Sequence, residues 1–178
     1  LTAAEAASIL RNWTAGDLCS VAACVGVVAH HVASDPALQS WLRAQVEHPE
    51  LLERAIDECL RLDDPFIWNR RVALRDVEVA DRIIPAGAKV TLNWAAANRD
   101  PRRFPEPHEF RPDDNAPYNL VYGIGPHECP GRALSTLQLR EALAALLRNA
   151  SVLRLATPAP TRARLPTGGY AEVWVELD

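Results

Sequence analysis

"YGIGPHECPG", residues 122–131, decides how the rest of the chain is read. Three glycines and two prolines crowd around Cys129, with His127 two places before it and a helical pattern opening at Gly131. Residues with little side chain let a backbone press against a flat partner and turn its N–H groups toward one atom. A cysteine at the head of a helix has its thiolate favoured by the positive end of the dipole and by unpaired amides. The loop therefore suits a planar, metal-bearing partner, whereas an isolated cysteine with turn-forming glycines is otherwise a small buried hydrophobe.

The 178 residues suffice for one domain with a core, and 48% apolar content suits a globular chain. A net charge of -4 gives no broad basic field, so nucleic acid is not an expected partner. The chain opens at Leu1 without a signal-like pattern, and a segment upstream of it is expected. The longest apolar run, Val21 to Ala33, is broken by His30 and His31 and falls short of a bilayer span, so no membrane partner and a cytoplasmic location are expected. Four scattered cysteines make neither a disulfide framework nor a C-x-x-C metal pair. Zinc on Cys19, Cys24, His30 and His31 is disfavoured, because closely spaced ligands in one helix cannot all converge.

Apolar spacing predicts a long helix over 2–34, opened by a Thr2–Glu5 capping box and ended by Asp35-Pro36. A short helix to about Val46 and another over 49–62 follow, closed by Asp64-Pro65. Short β-favouring runs occupy Ile67 to Ala73, Val77 to Val79, Arg82 to Ile84 and Lys89 to Leu92, with Pro85-Ala86-Gly87 as a turn. Residues 100–118 hold five prolines and form a meander or loop; a helix over 131–148 and strands over 152–177 complete the chain.

Tyr122-Gly123-x-Gly125-x-His127-x-Cys129-x-Gly131 resembles the haem-thiolate signature of the cytochrome P450 family, with Tyr122 where that pattern has Phe. Glu58-Cys59-Leu60-Arg61, about seventy residues earlier, is similar to the family's E-x-x-R, whose two charges share a helix face at i,i+3. The resemblance implies a mainly α fold with small β-sheets (α+β), covering the family's C-terminal half from the long oxygen-side helix onward. It implies Cys129 as iron ligand of haem b, and Arg71, with Arg70 as rival, and His127 as propionate contacts. A third basic residue should complete the Glu58–Arg61 network; its expected position is Asp114, leaving Arg111 or His108 as substitutes.

On the long helix the family shows A-G-x-acid-T, and this chain has Ala15-Gly16-Asp17-Leu18-Cys19-Ser20. Leu18 and Cys19 occupy the acid and alcohol positions. Asp17 and Ser20, adjacent at i,i+3, offer an alternative proton relay, or else Asp17 is solvated and Ser20 bonds its own helix. Ala15, Gly16 and Cys19, with Phe66, Ile67, Trp68 and Asn69, are expected to face a substrate. The resemblance implies a bacterial-type oxidoreductase inserting one atom of O2 into a small organic substrate. Its electrons would come from a ferredoxin or flavin reductase, with Arg132 and Arg140 as docking charges. A non-catalytic or split haem-binding module that assists a partner, including a missing N-terminal half, is the alternative.

Overall fold

The computed structural model describes residues 1–156, 159–165 and 167–178, and all their side chains except those of Ala15 and Asp17. A helix runs from Ala3 to Ser34 as α1 (Ala3–Ala15), a π-helical turn (Gly16–Ser20) and α2 (Val21–Ser34). The capping box forms as expected: Thr2 Oγ1 accepts the Glu5 N–H at 3.2 Å, and Glu5 takes the Thr2 N–H at 2.7 Å. Asp35 ends the helix and caps α3 (Pro36–Ala44), its carboxylate accepting the N–H groups of Ala37 and Leu38.

By length and composition the Ala3–Ser34 helix could cross a membrane, which its interrupted apolar run did not suggest. Its apolar residues have a use inside the fold. Cys24, Val27, Val28 and Val32 of α2 pack into the core with Leu52, Ala55, Ile56, Cys59 and Leu60 of α4 (Pro49–Leu62). The i, i+3, i+4 spacing of the α4 residues puts them on one stripe. Each buried Leu or Ile contributes about 1.5–3 kcal/mol of transfer free energy, so these two helices set where everything else docks.

Among the described residues four antiparallel strand pairs accompany the helices: β1 (Trp68–Val72) with β4 (Lys89–Asn93), and β2 (Val77–Val79) with β3 (Arg82–Ile84). Near the C-terminus β5 (Leu153–Leu155) pairs with β8 (Val175–Leu177), and β6 (Thr161–Arg162) with β7 (Tyr170–Glu172). The architecture is the expected mainly α fold with small sheets. After α5 (Trp94–Ala97) the chain meanders, with only α6 (Pro112–Asn115) and a 3-10 turn at Ala116–Tyr118 as regular structure. It then reaches the cysteine loop and α7 (Arg132–Asn149), which buries Leu139, Leu143, Ala144 and Leu147 against the core.

Glycine is needed where the C-terminal chain crosses the end of α4. A Cβ on Gly168 would clash with the Asp64 carbonyl, and one on Gly169, at φ +68°, would stand 3.0 Å from Val27 Cγ2. An isolated bridge between Phe66 and Thr167 fixes the same crossing.

Candidate functional site

The site is built outward from Glu58 and Arg61, both fully buried on α4. The carboxylate and guanidinium meet at 2.7 and 2.8 Å. Arg61 spends its remaining hydrogens on main-chain carbonyls of the following segment: Asn98 at 2.8 Å, Pro107 at 2.9 Å and Glu109 at 3.1 Å. Phe104 lies beneath the guanidinium, 4.9 Å from carbon to ring centre.

The third partner is neither Arg111 through its charge nor His108. Glu58 Oε1 accepts Asn115 Nδ2 and the Arg111 backbone N–H, each at 2.8 Å. The Arg111 guanidinium turns outward to Glu106 and Asp114, and His108 pairs with Arg99. Glu58 already has a cation, so neutral donors complete its shell without adding uncompensated charge. Sequence reasoning looked for a base and missed the amide.

Asn98, also fully buried, ties this network to the cysteine loop. Its Nδ2 donates to Asp64 Oδ2 at 3.1 Å and Asn119 Oδ1 at 3.3 Å, and its Oδ1 accepts the Leu120 N–H at 2.8 Å. Burial pushes Asp64 up to about 7, against the pull of its bonds from Phe66 N–H and Asn98. Nothing in the sequence marked Asn98 beyond its place in "ANRDP".

Beyond Leu120 the loop turns back on itself: Cys129 N–H donates to the Tyr122 carbonyl at 2.8 Å. Gly123 and Gly125 adopt φ of +73° and +72°, which glycine alone takes without strain. Cys129 is half-buried at the entry to α7, with Arg132 N–H bonded to its carbonyl at 3.2 Å, and its sulfur makes no hydrogen bond among the described residues. Burial pushes the Cys24 thiol up to about 12 and the Cys59 thiol higher still, so both remain protonated core residues. Tyr122 is buried, with its hydroxyl 3.4 Å from Thr136 Oγ1 and the Arg132 guanidinium over its ring.

Arg71 is half-buried on β1 and bonds only the Arg70 carbonyl, at 2.9 Å; Arg70 and His127 are exposed. None of the three pairs with a carboxylate among the described residues. The docking candidates differ: Arg132 is held by Glu128, and Arg140 by Glu53 and Glu141. Their charge is compensated within the chain, which argues against free docking cations.

On the long helix the expected relay pair falls within the π turn Gly16–Ser20. Residues three apart in an α-helix, at about 100° each, fall some 60° short of eclipse, and the wider π turn rotates less per residue and opens that gap. Ser20 is half-buried, Cys19, Leu18 and Gly16 are exposed, and the side chains of Ala15 and Asp17 lie outside the described residues. Of the expected substrate-facing group, Phe66, Ile67 and Trp68 are half-buried. Asn69 is exposed, and its Oδ1 is occupied by Trp94 Nε1 at 2.6 Å.

The donor chemistry fits a haem. One soft sulfur stands free of hydrogen bonds beside glycines, and a Cβ on Gly125 would stand in open space rather than against the chain. Ile124 beside it is 66% exposed, an apolar surface for a flat ring. Arg71, Arg70 and His127 have donors to offer to carboxylates.

The family model described as "Cytochrome P450" matches residues 40–165. The chain is 37% identical over 138 residues to cytochrome P450 144 of Mycobacterium tuberculosis, covering 77% of this chain and 31% of that protein. It is 37% identical over 112 residues to the beta-dihydromenaquinone-9 omega-hydroxylase of the same organism, covering 63% of this chain and 23% of that protein. Among solved structures, the haem domain of a P450 from Tepidiphilus thermophilus matches the whole chain and 42% of its own, with TM-score 0.90 and 26% identity. P450BioI, crystallised with an acyl carrier protein carrying hexadec-9Z-enoic acid, matches 89% of this chain and 41% of its own, with TM-score 0.80 and 29% identity. The chain thus spans between 23% and 42% of the length of these proteins.

Proposed function

The chain belongs to the cytochrome P450 family of monooxygenases, and from that premise we propose that it is the thiolate-bearing part of one, in which Cys129 would hold the iron of haem b. When bound, the haem supplies activation of O2, one atom of which enters a small organic substrate with electrons from a ferredoxin or flavin reductase. The observation that carries this reading is the Cys129 loop. Its N–H is committed to Tyr122, its sulfur is left without a hydrogen bond, and left-handed glycines hold the approach open.

In this reading Arg71 and His127 neutralise the propionates, with Arg70 able to replace Arg71. Ser20 Oγ, half-buried at the end of the π turn, takes over proton delivery together with Asp17, since the family's alcohol position is held by Cys19. Gly16 and Ala15 on the helix and Phe66, Ile67 and Trp68 after α4 bound the substrate space. Asn69 instead holds Trp94.

The test is reconstitution of the chain with haem. A reduced carbon monoxide complex with the thiolate-type Soret position, lost in Cys129→Ser, is expected; a spectrum identical in both proteins refutes the assignment.

One observation favours a second reading, in which the chain is a haem-binding module that works only with another polypeptide. Along α1 and the π turn, Ile9, Leu10, Trp13 and Leu18 are at least half exposed, an apolar face that nothing in the chain covers among the described residues. Substrate turnover with a ferredoxin system, measured with and without a supplied N-terminal half of a relative, separates the readings.

A further inference from the structure

His30 and His31 near the end of α2, Asp63 just past α4 and Tyr170 at the start of β7 meet at one place, although 140 positions separate His30 from Tyr170. One ring nitrogen of each histidine and a carboxylate oxygen of Asp63 all lie within 4.8 Å of one another. The Tyr170 hydroxyl sits 2.9 Å from both Asp63 Oδ2 and His30 Nδ1, and its ring lies over that of His30 at 4.3 Å between centres. Arg162 holds the other Asp63 oxygen at 2.7 Å.

The protons in this cluster can be assigned. A carboxylate only accepts and a phenol has one proton, so Tyr170 donates to Asp63 and His30 Nδ1–H donates to the phenol oxygen. His30 Nε2 is left with its lone pair. An imidazole whose other nitrogen is fixed by an outer hydrogen bond is the form that metal sites use. His31 Nε2 is shielded from solvent and makes no hydrogen bond among the described residues. Asp63 Oδ2 is 3.2 Å away, within ion-pair reach. A buried ring nitrogen left in this state is costly unless something else occupies it.

We propose that His30, His31 and Asp63 bind a borderline transition-metal dication, zinc foremost, as a clasp joining the long helix, the end of α4 and the β6–β7 hairpin. Two imidazoles and one carboxylate select zinc, nickel or copper over calcium or magnesium, which take all-oxygen shells. Bonds of about 2.1 Å in a tetrahedron bring ligand atoms to roughly 3.4 Å from one another, so closure needs movements of about an ångström and leaves one position for water. Arg162 holds the far oxygen of Asp63 while Oδ2 turns to the metal. Cys19 and Cys24 take no part: one is exposed on the helix, the other buried in the core. The residues are distinct from those of the haem reading, so either can fail alone.

Cobalt and zinc titrations of the full 178-residue chain test this. One equivalent of cobalt should give ligand-field bands without the intense charge-transfer band of a thiolate, and zinc should displace it and raise the thermal midpoint. His30→Gln and His31→Gln should each weaken binding at least about tenfold, and Cys129→Ser should leave it unchanged. Should either variant misfold, nitrogen-15 spectra of the unaltered protein give the same answer: zinc should shift His30 and His31 but not His48, His108 or His127. The proposal is overturned by absence of stoichiometric binding, by a thiolate band that Cys129→Ser removes, or by zinc shifts confined to other histidines.

Discussion

Glu58→Gln is the change with the most consequence for the least volume. The side chain keeps its shape, and its remaining oxygen can still accept from Asn115 and the Arg111 N–H. The new amide, however, faces Arg61 Nε–H, donor against donor, and leaves the guanidinium with no counter-charge in a fully buried position. Removing one partner of a buried pair costs about 3–5 kcal/mol, a large share of the roughly 5–15 kcal/mol that a domain has. With a urea slope of about 2 kcal/mol per molar, a loss of 4 kcal/mol moves the midpoint down by about 2 M. The assay is urea unfolding followed by far-UV circular dichroism, with Asn115→Ala alongside. That variant deletes one hydrogen bond to a charged acceptor and should cost about 1.5–3 kcal/mol. A midpoint shift below about 0.5 M for Glu58→Gln, at unchanged slope, would refute the view that this pair organises the segment after it.

The pH dependence of stability should carry the signature of Asp57, whose Oδ1 is buried without a partner among the described residues and which burial pushes up to about 6. Its folded-state value lies above the ~3.9 of an unfolded Asp, so its contribution is complete below about pH 4 and is lost as pH rises through 6. Unfolding free energy should fall less across that window in Asp57→Asn, and equal slopes would remove Asp57 as the cause. Gly168→Ala should cost about 1–3 kcal/mol or more through its clash with the Asp64 carbonyl, read from thermal unfolding; a neutral result would mean that the crossing yields. Tyr122→Phe should change stability by no more than about 1 kcal/mol, because only the long contact to Thr136 is lost.

What was legible in the sequence was written in short-range chemistry. The Thr2–Glu5 cap, the Asp35-Pro36 break and the i,i+3 pairing of Glu58 with Arg61 are each specified within a few residues, and each forms as read. Asn115 and Asn98 were not legible, since an amide has no charge to pair by inspection and its partner lies 57 positions away for Asn115 and 34 for Asn98. The π turn at Gly16–Ser20 was equally hidden. It depends on how a widened turn fits the whole helix, whereas the spacing of Asp17 and Ser20 assumes a regular one. His31 and Asp63 meet because α2 packs on α4, which no local pattern states.

Arg61 grips its segment by main-chain carbonyls, at Asn98, Pro107 and Glu109, rather than by side chains. Every amino acid has a carbonyl, so substitutions across 99–109 leave all three acceptors in place. Exposed positions such as Arg102 can change while the path stays fixed by one arginine, with Phe104 held beneath its guanidinium. Insertions and deletions have no such freedom, because they change the spacing of the acceptors. The network thus constrains the segment's length more tightly than the side chains at its exposed positions.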